Sequence, residues 1–149
     1  MYRSRTILVV EDTADDVFLL KRALTKSGLN PRVETVNEGE EAVNYFAGNG
    51  RYADRTQYPL PDLTLLDLKM PRMNGFDVLK WLRQQPQLEC RVVVAWSTSC
   101  EPEDVRRAYE LHANSYLTKH QLLSGDGAQE MIKLVHHYWL NLNICPPGS

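Results

Sequence analysis

The amino-acid sequence predicts an α/β fold in which helices cover both faces of a five-stranded parallel sheet, a doubly wound arrangement. Apolar runs of strand length recur at residues 7–10, 63–66 and 92–95, and a segment with helical period follows each run. Apart from Thr64, these runs are apolar throughout, which is typical of strands covered on both faces, whereas half-exposed strands alternate. Two weaker runs at 32–36 and 115–117 bring the predicted strands to five.

The helices are indicated by their periods and their ends. Apolar residues recur three and four positions apart before Gly28, a residue that favours the left-handed end of a helix. The second helix is predicted over 39–47, and the third, over 76–82, ends before Pro86. Pro102 suits the first turn of the fourth helix. The last helix carries an apolar stripe of Met131, Leu134, Val135, Tyr138 and Trp139.

Length and composition predict one domain over residues 1–143 with a flexible tail over 144–149. The polar stretch 48–61 is longer than a usual αβ connection, so we expect a surface loop, either a partner contact or an inert insertion.

Charge and targeting features limit the class of function. Lys and Arg (17) nearly balance Asp and Glu (19), which disfavours nucleic-acid binding. Three cysteines without C-x-x-C spacing indicate a reducing compartment. The N-terminal apolar run is too short for a signal peptide or a membrane span. We therefore predict a soluble, cytoplasmic protein.

Chemically reactive side chains follow four of the predicted strands. Ligands of open α/β sheets bind outside the carboxyl ends of the strands, so these side chains should meet in one crevice. A single acidic residue after a strand is commonly only a helix cap. Reactive side chains at the ends of four strands together favour a functional site. The residues are Glu11 and Asp12, Asp67, Ser97 and Thr98, and Thr118 and Lys119.

Clustered carboxylates require a cation, because like charges ~4 Å apart repel by about 4 kcal/mol at an effective dielectric constant of 20. Oxygen ligands without His or Cys favour Mg²⁺. Asp67 is the candidate nucleophile toward phosphorus, since aspartyl phosphates are a known form of covalent catalysis. Lys119 and Ser97 would engage the phosphoryl oxygens.

Four motifs in order resemble response-regulator receiver domains: ILVVED at 7–12, LDLKMPRMNG at 66–75, Ser97, and the pair at 118–119. The resemblance covers nearly the whole chain. It implies a flavodoxin-like (CheY-like) sheet in strand order 2-1-3-4-5. It also implies a phosphoacceptor signalling protein that assists its own phosphorylation and dephosphorylation but is not an enzyme in the usual sense.

The same resemblance assigns roles to the site residues. Asp67 would accept a phosphoryl group from a histidine kinase. Mg²⁺ would be bound by Asp12, Asp67 and the backbone carbonyl of Lys69, with Glu11 acting through water. Ser97 matches the hydroxyl that turns toward the phosphoryl group. Lys119 matches the lysine of the family, and Tyr116 matches the aromatic residue whose rotamer follows activation.

Other, less specific features of the sequence are similar to those of the small receivers that are paired with cyanobacterial phytochromes. They are the long loop ending in Pro-Asp-Leu, the segment 109–119 and the closing Tyr-Trp-Leu at 138–140. A phytochrome histidine kinase is therefore the expected partner. Three residues depart from the usual receiver pattern and affect the expected switch geometry: His120 stands where most receivers have Pro, Trp96 is bulkier than the usual aliphatic residue, and Thr98 is larger than the usual Ala.

Other readings remain open from the sequence. A pseudo-receiver would act by protein contacts alone. A haloacid-dehalogenase-like phosphatase would want an Asp where Lys69 stands, and a flavin carrier would be repelled by the acids of 11–16. Tyr116 could instead be only a half-buried aromatic residue of a strand. The four histidines are interpreted as surface groups and not as metal ligands.

Signal output is expected to pass through partners. We predict either relay to a histidine phosphotransfer protein or binding of a downstream target. We also predict a homodimer through Tyr138, Trp139 and Leu140 together with the face of the fourth helix and fifth strand. Lys69 is expected to set the lifetime of the phosphoryl group.

Overall fold

Five parallel strands form one sheet in the order β2-β1-β3-β4-β5, which confirms the predicted topology. The computed structural model describes residues 5–124 and 127–147. Adjacent strands end level with one another, since Val10 pairs with Val36 on one side and with Leu66 on the other. The strands are β1 (Thr6–Val10), β2 (Arg32–Val36), β3 (Leu63–Leu66), β4 (Val93–Ser97) and β5 (Ser115–Thr118).

Helices cover both faces of this sheet. Five of them are close to their predicted positions, and the short α5 was not predicted. A 3₁₀ turn, Gly50–Ala53, follows α2, and α6 continues into a π-helical segment, His137–Leu142. The helices are α1 (Ala14–Lys26), α2 (Gly39–Ala47), α3 (Gly75–Arg83), α4 (Pro102–Glu110), α5 (Lys119–Leu123) and α6 (Ala128–His136).

The two faces of the sheet belong to two separate cores, which explains the uninterrupted apolar runs. Successive residues of a strand point to opposite faces. Leu8 accordingly packs into the core formed with α2, α3 and α4. Its neighbour Val9 packs into the core formed with α1, α5 and α6. Every position of β1 is therefore buried.

The last helix departs in part from the predicted apolar stripe. Val135 is buried against the sheet with Ile132, but Leu134 is 63% exposed and Tyr138 is 50% exposed. Leu134 precedes Val135 by one residue, so its side chain is turned away by about 100°. The described helices include none that is long and apolar enough to cross a bilayer.

The stretch 48–61 lies at the surface, as expected, since residues 49–51, 53–54 and 56–57 are exposed, but it is anchored to the domain. Tyr52 is only 5% exposed, and its ring lies 5.0 Å from the rings of Tyr45 and Tyr58. The guanidinium group of Arg55 donates hydrogen bonds to the carbonyls of Tyr45 and Phe46 at the end of α2. These contacts anchor the loop to the core through its tyrosines and Arg55, and they do not test a partner contact.

The corner between β3 and α3 requires a glycine. A Cβ atom at Gly75 would lie 2.1 Å from the carbonyl oxygen of Asp67. The Gly75 backbone N–H donates to the Leu68 carbonyl at 3.2 Å. Asn74 and Asp77 complete a capping box at the start of α3. The close approach therefore ties α3 to the end of the strand that carries Asp67.

We predict that Gly75→Ala lowers the free energy of unfolding by about 1–3 kcal/mol, because the added methyl group forces the backbone apart. Gly127→Ala is the matched control, since a Cβ atom there meets nothing within 4 Å. The control should stay within about 0.5 kcal/mol of the parent. Urea unfolding measures both variants, and equal stabilities for the two would contradict the steric account.

Candidate active site

Three carboxylates meet where β1 and β3 end. The paired strands place Glu11 and Asp67 side by side, and backbone hydrogen bonds to Val36 and Val10 hold these positions beyond the strands. One carboxylate oxygen from each of Glu11, Asp12 and Asp67 lies within 4.8 Å of the others. Glu11 and Asp67 are buried, whereas Asp12 is exposed. We call these three residues the acidic crevice.

The ammonium group of Lys119 is buried against the crevice. Its Nζ atom lies 2.6 Å from Glu11 Oε1, 3.0 Å from Asp16 Oδ2 and 3.6 Å from Asp67 Oδ1. Lys119 opens α5 directly after β5, because Thr118 and Gln121 form a capping box that starts a helix there. The fifth strand thus delivers its cation to acids from the first and third strands.

Burial controls the protonation of the site. Burial raises the pKa of Glu11 to about 7, although the hydrogen bond from Lys119 opposes the shift. Burial likewise raises the pKa of Asp67, and the Lys119 charge opposes it. Burial alone would lower the pKa of Lys119, but hydrogen bonds to Glu11 and Asp16 raise it above its ordinary value. The lysine is therefore a fixed positive charge.

Both carboxylate oxygens of Glu11 have protein partners. Oε1 faces Lys119, and Oε2 accepts a hydrogen bond from the Thr13 backbone N–H at 3.1 Å. In Asp67, by contrast, the Lys69 backbone N–H and the Lys119 ammonium group both lie at Oδ1, and the Asp12 side chain is exposed. This division suits the expectation that Glu11 reaches a cation through water while the other two acids bind it directly.

The remaining predicted site residues surround the acceptor. Ser97, fully buried at the end of β4, accepts a hydrogen bond from the Ser99 backbone N–H at 3.1 Å. The Tyr116 hydroxyl donates to the Ser99 carbonyl at 2.8 Å. The Lys69 backbone N–H donates to Asp67 Oδ1 at 3.3 Å. Tyr116 is therefore half-buried and anchored to the loop between β4 and α4.

The donor set fits a hard divalent cation, because all three converging ligands are carboxylates. No second group of three or more His, Cys, Asp or Glu side chains is placed to hold a metal within residues 5–124 and 127–147. His112, His120 and His137 are exposed and His136 is half-buried, and none of the four belongs to the group of converging ligands.

The three residues that depart from the usual receiver pattern occupy different surroundings. Trp96 is fully buried in the core beneath α1, α5 and α6, while Tyr116 packs against the opposite core. The Trp96 ring lies 5.4 Å from Lys119 Nζ, within reach of a cation–π interaction. Thr98 is exposed. The peptide between Lys119 and His120 is trans, as are the other described peptides.

Three site contacts were not predicted from the sequence. Asp16 pairs with Lys119, although an acid in the first turn of α1 is readily explained by the helix dipole. Asp104 bonds both Ser99 and Lys69. No sequence spacing links these residues, which come from separate helices and loops. The T-x-x-Q pattern at 118–121 was the available signal for α5.

Comparisons with known sequences agree with this geometry. The family model of the response regulator receiver domain matches residues 7–142. The chain is 35% identical over 143 residues to "Probable methanogenesis regulatory protein FilR2" of Methanothrix harundinacea, covering 94% of this chain and 86% of that protein. It is 33% identical over 142 residues to response regulator Rcp1 of Synechocystis, covering 95% and 93% of the two chains.

Solved structures give the same assignment. The phosphorylated cyanobacterial phytochrome response regulator RcpA superposes with a TM-score of 0.84 at 34% identity, covering 97% of this chain and all of that one. The Mn²⁺-bound form of Rcp1 superposes with a TM-score of 0.81 at 31% identity, covering 96% and 99%. Sequence, fold and site agree: the chain belongs to the response regulator receiver family.

Proposed function

We propose that this receiver accepts a phosphoryl group from a histidine kinase on Asp67. One observation carries the proposal: the buried Asp67 carboxylate lies 3.6 Å from the buried Lys119 ammonium group, beside two further acids. Such an arrangement provides a nucleophile and a fixed positive charge in a place shielded from water.

The chemistry of the transfer is a displacement at phosphorus. A carboxylate oxygen of Asp67 forms a bond to phosphorus while the bond to the donor's imidazole nitrogen breaks, and that nitrogen keeps the electron pair. Lys119 is close enough to pair with a phosphoryl oxygen after a small movement. The Ser97 hydroxyl, at the end of the neighbouring strand, would donate to another oxygen.

Magnesium is the proposed cofactor. Asp12, Asp67 and the backbone carbonyl of Lys69 would bind it directly, with Glu11 acting through water. When bound, Mg²⁺ supplies positive charge for the phosphoryl oxygens. The Mn²⁺-bound structure of Rcp1 supports a divalent cation in a related protein, and the converging carboxylates of this chain supply suitable ligands.

The proposed kinase is a cyanobacterial phytochrome. Support comes from the relatives: RcpA is described as a phosphorylated phytochrome response regulator, and Rcp1 is similar along nearly its whole length. The near-balanced charge argues for protein partners, a phosphotransfer protein or an effector, and against nucleic acid.

A cytoplasmic location and a separate tail over 144–149 remain predictions; residues 148–149 lie outside the described ranges.

Asp67→Asn should abolish phosphorylation, because an amide is a poor nucleophile at this position. The parent, incubated with Mg²⁺ and a small phosphodonor such as phosphoramidate, should gain the mass of one phosphoryl group, and hydroxylamine should remove it. Asp15→Asn, which removes an exposed acid from the first turn of α1, is the matched control. An unmodified parent would favour the contact-only pseudo-receiver.

Mg²⁺ affinity should rise by about tenfold between pH 6 and pH 8, because Glu11 must lose its proton to favour the cation. With a pKa of about 7, this carboxyl is mostly protonated at the lower pH and mostly ionised at the higher. Calorimetric titration with MgCl₂ measures the affinity. Glu11→Gln should flatten the profile over this range, and an unchanged slope in that variant would assign the pH dependence to another group.

The proposed homodimer uses the exposed stripe Leu134, Tyr138 and Leu142, which lie four residues apart on one side of the last helix. This corrects the predicted set, because Leu140 is 2% exposed and packs into the core. Tyr109 is 48% exposed on α4, the helix whose face was predicted to join the interface. A second copy of the chain would cover these residues.

Replacing Leu134 and Tyr138 together by Ser should weaken the dimer by at least about tenfold, because each side chain would lose its apolar burial. Analytical ultracentrifugation measures the dissociation constant. His137→Ser is the control, since this exposed neighbour lies on the same helix outside the stripe. A monomeric parent, with and without phosphodonor, would reject the dimer.

A further inference from the structure

The carboxylate of Asp104 connects two loops beside the acceptor. Lys69, two residues after Asp67, places its Nζ atom 3.1 Å from Asp104 Oδ1. Ser99 donates a hydrogen bond from its hydroxyl to Asp104 Oδ2 at 2.6 Å. Both oxygens of this side chain, in the first turn of α4, are therefore engaged. We call Lys69, Ser99 and Asp104 the Asp104 bridge.

The bridge continues to the residues of the expected switch. The Ser99 carbonyl oxygen accepts a hydrogen bond from the Tyr116 hydroxyl at 2.8 Å. The Ser99 backbone N–H donates a hydrogen bond to Ser97 Oγ at 3.1 Å. One short loop residue thus touches the site hydroxyl, the switch aromatic and Asp104. The electrostatic consequence is visible on Asp104, whose pKa is lowered by the hydrogen bonds from Ser99 and Lys69.

The backbone and the side chain of Lys69 contact two different acidic residues. Its backbone N–H is bonded to Asp67, yet its side chain turns away to Asp104 and remains 55% exposed. An exposed ion pair contributes only about 0–1 kcal/mol, so the pair is weak enough to exchange. The lysine stem is flexible and carries a compact charge. A doubly charged phosphoryl group on Asp67 would compete directly with Asp104 for this ammonium group.

We propose that Asp104 is a positioning residue: it holds the Lys69 ammonium group away from a phosphoryl group on Asp67 and thereby shortens the lifetime of the phosphorylated state. This inference rests on the proposed function. An ammonium group released from Asp104 would pair with the phosphoryl oxygens and occupy the space through which water approaches.

The step concerned is hydrolysis of the acyl phosphate. The water oxygen forms a bond to phosphorus, the bond from phosphorus to the Asp67 oxygen breaks, and Asp67 leaves as a carboxylate. The proton lost by water is taken up by the phosphate product or by solvent. Attack in line with the leaving oxygen comes from the solvent side, where the exposed residues Lys69 and Thr98 follow their strands.

Asp104→Asn should lengthen the half-life of the phosphorylated protein by about threefold, the factor that the loss of a weak ion pair supplies. Asp104→Glu keeps a carboxylate and should restore most of the parental decay. Glu103→Gln is the matched control: it removes the same charge from the adjacent position, where the acid pairs with Arg106 instead. Decay is followed by intact mass after removal of the phosphodonor.

The effect must depend on the lysine. In a Lys69→Ala background there is no ammonium group to release, so Asp104→Asn should leave the half-life unchanged relative to Lys69→Ala alone. A general destabilisation of α4 would instead persist in both backgrounds. Equal decay of the parent, Asp104→Asn and Glu103→Gln would overturn the proposal, as would an equal effect with and without Lys69.

Mg²⁺ binding separates failure of this inference from failure of the proposed function. A released ammonium group near the acidic crevice should weaken Mg²⁺ binding by about threefold in Asp104→Asn but not in Glu103→Gln, and Lys69→Ala should cancel the loss. If the parent forms no phosphorylated species, the proposed function fails and the lifetime claim fails with it. The MgCl₂ titration then decides whether Asp104 positions Lys69. An Mg²⁺ affinity of Asp104→Asn equal to that of the parent would reject the positioning role as well.

Discussion

The buried ammonium group of Lys119 is the interaction on which the site depends. It lies among carboxylates from β1, α1 and the end of β3, and its contacts join parts of the chain far apart in sequence. Removing one partner of a buried pair costs about 3–5 kcal/mol, because the other charge is left without compensation. One ammonium group does not neutralise Glu11, Asp12, Asp16 and Asp67, so the excess negative charge leaves the crevice suited to a cation.

Periodicity and strand ends were sufficient to predict five parallel strands and most of the crevice, whereas the strand order was implied by the family resemblance. The strands β2 and β3 and the helix α2 have their predicted bounds. In β3, every position is buried, which leaves a strong apolar signal in the sequence. Glu11, Asp12 and Asp67 could be brought together from the sequence alone, since parallel strands end at one edge of the sheet. The alternating assignment of residues to two cores follows from the same geometry.

Contacts between side chains of separate loops could not be predicted in this way. The Asp104 bridge depends on how α4 approaches the loop after β3, and no spacing encodes that distance. The loop 48–61 was expected at the surface, but the ring contacts that anchor it could not be predicted, because its tyrosines stand among Arg, Asn and Gly residues without a clear period. Trp96 appeared to crowd the switch, yet strand alternation places it in the opposite core, beneath Lys119.

A crystal structure of the protein with Mg²⁺ and beryllium trifluoride, a mimic of the phosphoryl group, tests the central claim most directly. The account predicts fluoroberyllate bonded to an Asp67 carboxylate oxygen, with Lys119 Nζ moved from its present contact with Asp16 toward a fluorine and Mg²⁺ among Asp12, Asp67 and the Lys69 carbonyl. Fluoroberyllate bound elsewhere, or a crevice that keeps all three Lys119 contacts and takes up neither group, would contradict it.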